Sequence, residues 1–240
     1  MNKELAGNRE GIQKLFNQVV EAKKSAFKEV IGVDIETPKL ILKDESNKKV
    51  HTHGYYLNDE VNLNIVPPTN KKRVDKRENN TDLLNTIIHE LTHHDQSYLA
   101  QNKDNPALRK DLQTDARLFG INQDLYVDFD GKHKTYQGYR NQPLERDAFH
   151  AGDTLSERLM KEVYKDPSTS FGNTDYKPKT ISEKERKKLE KKAKKNNESE
   201  FTDTYNNFRK NADEKLLENL SKNSDFKKLM NGDLNGDAEK

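Results

Sequence analysis

His89-Glu90-Leu91-Thr92-His93 is the stretch on which the reading of this chain turns. It sits inside an apolar, helix-like run from Leu83 to Leu99. On an α-helix, residues i and i+4 lie one above the other, so His89 and His93 can present two imidazole nitrogens to one Zn²⁺ at ~2.0–2.1 Å. Glu90 follows directly, which sets its carboxylate beside the metal, where it can act as general base on a water the metal activates. Leu83, Leu84, Ile87, Ile88 and Leu91 form a broad apolar stripe that Leu99 extends, as expected of a helix packed into a core. Asn80 or Thr81 is placed to cap the helix start, ahead of Asp82. Burying a helix that carries His89, Glu90, His93, His94 and Asp95 costs desolvation unless something binds those groups.

The sequence before the helix reads as strand. Lys48 to Leu57 and Glu60 to Val66 are rich in β-formers, and Asn58-Asp59 supplies the turn between them. Leu63 and Ile65 fall on one face and Asn62 and Asn64 on the other. Pro67-Pro68 ends the second strand. Ahead of these lie an amphipathic helix over 5–31 and a short strand at Leu40-Ile41-Leu42. The order of Gly54-Tyr55-Tyr56, turn, strand, loop and metal helix resembles the N-terminal part of the zincin metallopeptidases. That resemblance implies an edge strand beside the active-site helix, pairing with extended substrate, and one of the two strands in 48–66 is the candidate.

A catalytic zinc takes three protein ligands and keeps one position open. The metzincin continuation requires Gly at 96 and His at 99, and the chain has Gln96 and Leu99. The segment Tyr139-Arg140-Asn141-Gln142-Pro143-Leu144-Glu145-Arg146-Asp147-Ala148 resembles the Tyr-x-x-x-Pro-x-Glu-x-x-Ala signature of bacterial and phage zincin-like peptidases and toxin domains. The resemblance covers roughly residues 50–165 and implies a gluzincin-type site, with Glu145 as third ligand beside His89 and His93. From residues alone, Pro143 suits the first turn of a helix running through Ala148, Leu155, Leu159 and Val163. In that turn Glu145 could equally serve only to complement the helix dipole. Asp115, in a helix-like segment from Pro106 to Phe119, is the rival third ligand, or a partner for a ligating His.

Smaller expectations attach to other residues. His94 stands 100° round the helix from His93 and is read as a supporting or surface residue. Asp95 and Gln96 are candidates to orient the site, Asp147 to hydrogen-bond a ligating His, and Tyr139 to donate to a developing oxyanion. His51 and His53 alternate on one strand face, too few for a second metal site by themselves. Asp233, Asn235 and Asp237 hint at a Ca²⁺ loop that lacks its remainder.

Across the 240 residues, apolar residues make up 31% and charged ones 35%. Only part of such a chain can supply a core. The division expected is a zincin-like metallopeptidase domain over 1–166, a linker at 167–181 and a Lys-rich helical appendage over 182–240. Ser182 and Glu185 make a capping box for a basic helix. Nine Lys or Arg against three Glu between Lys179 and Lys195 give a local charge of +6. A solvated basic helix explains that run, and the overall charge of +2 argues against a dedicated nucleic-acid binder. The absence of Cys excludes disulfides, thiolate ligands and a Cys nucleophile. No stretch approaches a membrane span or a signal-peptide core, so the expected location is the cytoplasm, or export without an N-terminal signal.

The fold class expected is α+β and zincin-like, with a small mixed or antiparallel sheet, an active-site helix and the helical appendage. The expected function is zinc-dependent hydrolysis of peptide bonds, with Glu90 as base, Zn²⁺ as cofactor and an extended protein or peptide as substrate. An effector or toxin would use the same chemistry. The alternative is a non-enzymatic, metal-braced interaction protein of a phage or mobile element.

Overall fold

In the computed structural model of this protein, residues 5, 8–44, 54–65, 76–127, 133–164 and 201–231 are described. The architecture is α+β, mostly helical, with one three-stranded sheet. Helix α1 (Arg9–Ile31) starts at Asn8, whose side chain accepts the Gly11 N–H, and buries Ile12, Leu15, Phe16, Val19 and Val20. Strands β1 (Lys39–Asp44), β2 (Gly54–Leu57) and β3 (Glu60–Ile65) follow in the sheet order β1-β3-β2. β3 is central, parallel to β1 and antiparallel to β2. The turn between β2 and β3 is Asn58-Asp59, both at positive φ, 51° and 60°. That pair of left-handed residues makes the tight hairpin that Asn and Asp tolerate best. The alternation expected along β3 is lost: Val61, Asn62, Leu63 and Asn64 are all buried, because a central strand has both faces and both edges covered.

Helix α2 (Lys76–Gln101) carries the motif and packs on β2, β3, α1 and the later helices. It begins before the expected cap. Asn80 lies inside it, accepts the Leu5 N–H (3.1 Å) and donates to the Met230 carbonyl (3.4 Å). Asn80 therefore ties α2 to both distant ends of the described chain and caps nothing. After a short 3₁₀ turn (Lys110–Leu112) come α3 (Gln113–Asp124), α4 (His133–Asn141) and α5 (Pro143–Tyr164). As expected, α5 opens on Pro143 with Glu145 in its first turn. Gly152 lets α5 lie close against α2, since a Cβ there would come within 2.6 Å of Asn85 Oδ1. Last come α6 (Asp203–Lys222) and α7 (Ser224–Met230).

Two cores hold these elements. One joins Ile12, Phe16 and Val19 of α1 to Val61 and Leu63 of β3, Ile87, Ile88 and Leu91 of α2, Leu155 and Leu159 of α5, Leu216 and Leu220 of α6, and Phe226 of α7. The other gathers Phe27, Leu99, Leu112, Phe119, Leu144, Tyr205 and Phe208. At about 1.5–3 kcal/mol for each fully buried large apolar side chain, α6 and α7 contribute as much as any element. The described part of the expected appendage, 201–231, is thus packed into the cores of the preceding domain, not appended to it. The expected linker, the capping box, the basic run, the 233–237 acidic group, and His51 and His53 lie outside the described residues.

Candidate metal centre

α2 brings its two motif histidines together as the helical spacing requires. His89 Nε2 and His93 Nε2 stand 3.1 Å apart. The first turn of α5 adds the third group from across the helix pair. Glu145 Oε2 is 3.4 Å from His89 Nε2, and Glu145 Oε1 is 3.1 Å from His93 Nε2. The neighbouring Leu144 is 4% exposed and anchors this turn in the second core, while Glu145 itself is 1% exposed. Glu90 is buried beside the pair, and the ligand atoms of His89, Glu90 and His93 lie within 4.8 Å of one another.

These groups suit a small cation. Four tetrahedral ligands at roughly 2.0–2.1 Å from one ion stand roughly 3.3 Å from each other, close to the spacings between the two imidazoles and the carboxylate. Glu145 Oε2 is buried and accepts no hydrogen bond of good geometry, although it faces His89 Nε2. A buried carboxylate oxygen left in that condition is costly unless a positive charge meets it. The set is nitrogen, nitrogen and oxygen, which many divalent ions accept, so it names no single metal.

The protonation of these groups follows from burial and from one another's charge. Burial opposes a charge on His93, but the hydrogen bond to Glu145 and the charges of Glu145 and Glu90 outweigh it and raise its pKa to about 9. Burial also pushes the Glu145 carboxyl upward, yet the two histidines hold it well below the usual range. Glu90 is shifted the other way. Burial raises it, and the nearby histidines only partly offset that.

Aromatic rings wall the site. Phe149 of α5 packs edge-on against His89, centroids 4.5 Å apart, and the Arg140 guanidinium lies 4.1 Å over the Phe149 ring. Tyr126, on the segment after α3, donates its hydroxyl to Glu145 Oε1 at 2.5 Å. Tyr139 lies beside it, rings 6.2 Å apart, and burial followed by the charge of Glu145 raises its phenol above the ordinary value. The Tyr126 segment is pinned by Gln142, whose amide both accepts the Val127 N–H and donates to the Val127 carbonyl, each at 3.0 Å. Tyr126, Gln142 and Phe149 carry no signal in the sequence, because each acquires its place from a neighbour distant in the chain.

The remaining candidates separate cleanly. Asp115 is fully buried but outside the candidate metal centre. Its Oδ1 accepts the Thr202 N–H (2.7 Å) and its Oδ2 the Thr202 hydroxyl (2.5 Å), so it anchors the residue that caps α6. Asp147 does not reach either motif histidine directly. It accepts from Gln96 Nε2 (2.8 Å), and Gln96 Oε1 in turn meets His93 Nδ1 (2.9 Å). Asp95 faces away toward Lys23 Nζ (3.1 Å) and Arg209 Nη1 (3.2 Å). His94 is buried against Tyr56 of β2, centroids 5.8 Å apart, and burial lowers its pKa.

β2 is the sheet edge nearest α2. At Gly54 an added Cβ would come within 2.9 Å of Thr86 Cγ2, so the strand hugs the helix. Beside a two-residue turn the flanking pair Leu57 and Glu60 is hydrogen-bonded, which turns the N–H and C=O of Tyr56 outward. The Tyr56 N–H is among the groups that stabilise the Glu90 carboxylate.

Compared with known proteins, the chain matches no protein-family model, no curated protein and no solved structure. No helix among the described residues is long and apolar enough to cross a membrane.

Proposed function

We propose that this protein is a zinc-dependent peptidase of zincin type, in which His89, His93 and Glu145 hold the metal and Glu90 is the general base. The observation that carries this reading is the convergence of His89 Nε2, His93 Nε2 and the Glu145 carboxylate at 3.1–3.4 Å, with Glu90 buried beside them. A zinc ion bound there would supply Lewis-acid polarisation of a carbonyl and bring the pKa of water near neutrality.

The chain's own groups do the rest. Glu90, its pKa raised by burial, is suited to accept the proton of the attacking water and return it to the leaving amine nitrogen. Tyr139 keeps its hydroxyl proton because burial and Glu145 disfavour the phenolate, so it can donate to the oxyanion that develops. Tyr126 steadies Glu145. An extended peptide would add to the outer edge of β2, parallel to the face on which Glu90 lies, using main-chain hydrogen bonds.

The test is metal content and cleavage of a peptide library by wild type and Glu90→Gln. The expected result is stoichiometric zinc in both and hydrolysis lower by about 10²–10⁴-fold in the variant, the range for removing a general base. Undiminished hydrolysis would remove Glu90 from the mechanism. Zinc bound by both with no cleavage by either would favour the metal-braced interaction protein.

A further inference from the structure

Gln96 lies one turn beyond His93 on α2, buried to 1% exposure, and it bridges the two helices that carry the metal-site groups. Its Nε2 is 3.1 Å from the Leu144 carbonyl and 2.8 Å from Asp147 Oδ2. A backbone carbonyl can only accept, so the amide nitrogen must occupy that side and the amide oxygen must face His93. Gln96 Oε1 sits 2.9 Å from His93 Nδ1 and can only accept, so Nδ1 carries the proton. In a neutral imidazole the other nitrogen is then bare, and in His93 that nitrogen is the Nε2 facing His89 and Glu145.

The far end of this chain of bonds is in α6. Asp147 Oδ2 also accepts the Tyr205 hydroxyl at 2.7 Å, and Asp147 Oδ1 faces Arg209 Nε at 3.7 Å. Arg209 donates to Thr92 Oγ1 at 2.6 Å, on the same turn of α2 as His93. Tyr205 and Arg209 are buried, with 1% and 6% exposure, so the clamp is shielded from water.

We propose that Gln96 is a positioning residue that holds His93 in its metal-binding tautomer, and that Asp147, clamped from α6 by Tyr205 and Arg209, holds Gln96 in that orientation. The proposal rests on the metal-centre reading above and makes the 201–231 segment a part of the site. Groups behind a metal ligand typically change metal affinity by about 10–100-fold when removed.

The experiment measures zinc affinity by chelator competition, and thermal unfolding of the metal-free protein, for wild type, Gln96→Leu and Gln96→Glu. Leu fills a similar volume but accepts no hydrogen bond, so affinity is expected to fall about 10–100-fold. Glu in its neutral acid form keeps the acceptor toward His93 and one donor toward Asp147, losing only the bond to the Leu144 carbonyl, and is expected to bind zinc more tightly than the Leu variant. A role in packing alone would give the reverse order, with Leu like wild type and Glu the worst, and that result overturns the proposal. Tyr205→Phe leaves Gln96 in place and is expected to weaken zinc several-fold; unchanged affinity there would overturn the part assigned to α6. Zinc uptake by wild type with no response to Gln96→Leu defeats this relay alone, whereas a wild-type chain that takes up no zinc defeats the metal reading and the relay with it.

Discussion

Asp115→Ala separates structure from metal chemistry at the residue that competed with Glu145 for the third-ligand role. The carboxylate receives two short bonds from Thr202, one from its N–H and one from its hydroxyl. Thr202 is the cap of α6, its own side chain accepting the Tyr205 N–H. Each hydrogen bond to a charged group contributes about 1.5–3 kcal/mol, so the two together reach roughly 3–6 kcal/mol if both partners are left stranded. They are not fully stranded, because Thr202 is only half-buried and water can replace part of the loss. The net cost is therefore about 2–3 kcal/mol. For a chain of this size that lowers the melting temperature by roughly 5–10 °C. The assay is thermal unfolding followed by circular dichroism, run beside chelator competition for zinc. The reasoning expects the melting temperature to drop while zinc affinity stays near wild type. Loss of zinc on Asp115→Ala, or a melting temperature that does not move, would refute it.

Three further outcomes follow from the same geometry. Gly152→Val should push α5 from α2, because even the first added carbon meets Asn85 Oδ1 at 2.6 Å; a loss of about 1–3 kcal/mol in urea unfolding and weaker zinc binding through Glu145 are expected. His93 has a folded-state pKa raised to about 9, so in the metal-free protein its pairing with Glu145 stabilises fully below the unfolded value near 6.5 and is lost as pH rises through about 9. Zinc competes with that same proton, so its affinity should climb between pH 7 and 9, by up to about tenfold per unit, and a flat profile in chelator competition would show that zinc displaces no proton from His93 in that range. A fragment ending at residue 165 should be molten or insoluble, since Leu216, Leu220 and Phe226 would leave the main core and expose its apolar face; a cooperative melt for that fragment would restore a separable C-terminal unit.

Much of the candidate metal centre was legible as local spacing. His89 and His93 meet because a helix repeats every four residues or so, and that holds whatever surrounds it. Glu145 was singled out by a resemblance and, from the residues alone, only as a first-turn acid behind Pro143, and its pairing with the histidines depends on how α5 crosses α2. The role of Gln96 was named only as an orienting one, and its direction, toward Leu144 and Asp147, needed the crossing too. Tyr126 left no trace in the sequence. It precedes Glu145 by nineteen residues, and nothing in its own neighbours says that it folds back onto that carboxylate.

The sequence by itself determined what is periodic or short-range. The apolar stripes of α1, α2 and α5, the Asn58-Asp59 turn and the Pro143 helix start all follow from side-chain spacing and backbone preference within a few residues. The tertiary structure alone decided the sheet order, the burial of both faces of β3 and the use of Asn80 as a tie between chain ends. It also decided the place of residues 201–231. Their sequence reads as a helical region rich in charge, which suits an exposed appendage. What sets them in the core is the match of Leu216, Leu220, Phe226 and Tyr205 to apolar surfaces that α1, α2 and α3 leave uncovered. That surface exists only after those helices have packed, and burial against it is a property of the assembled faces, which no window of sequence contains.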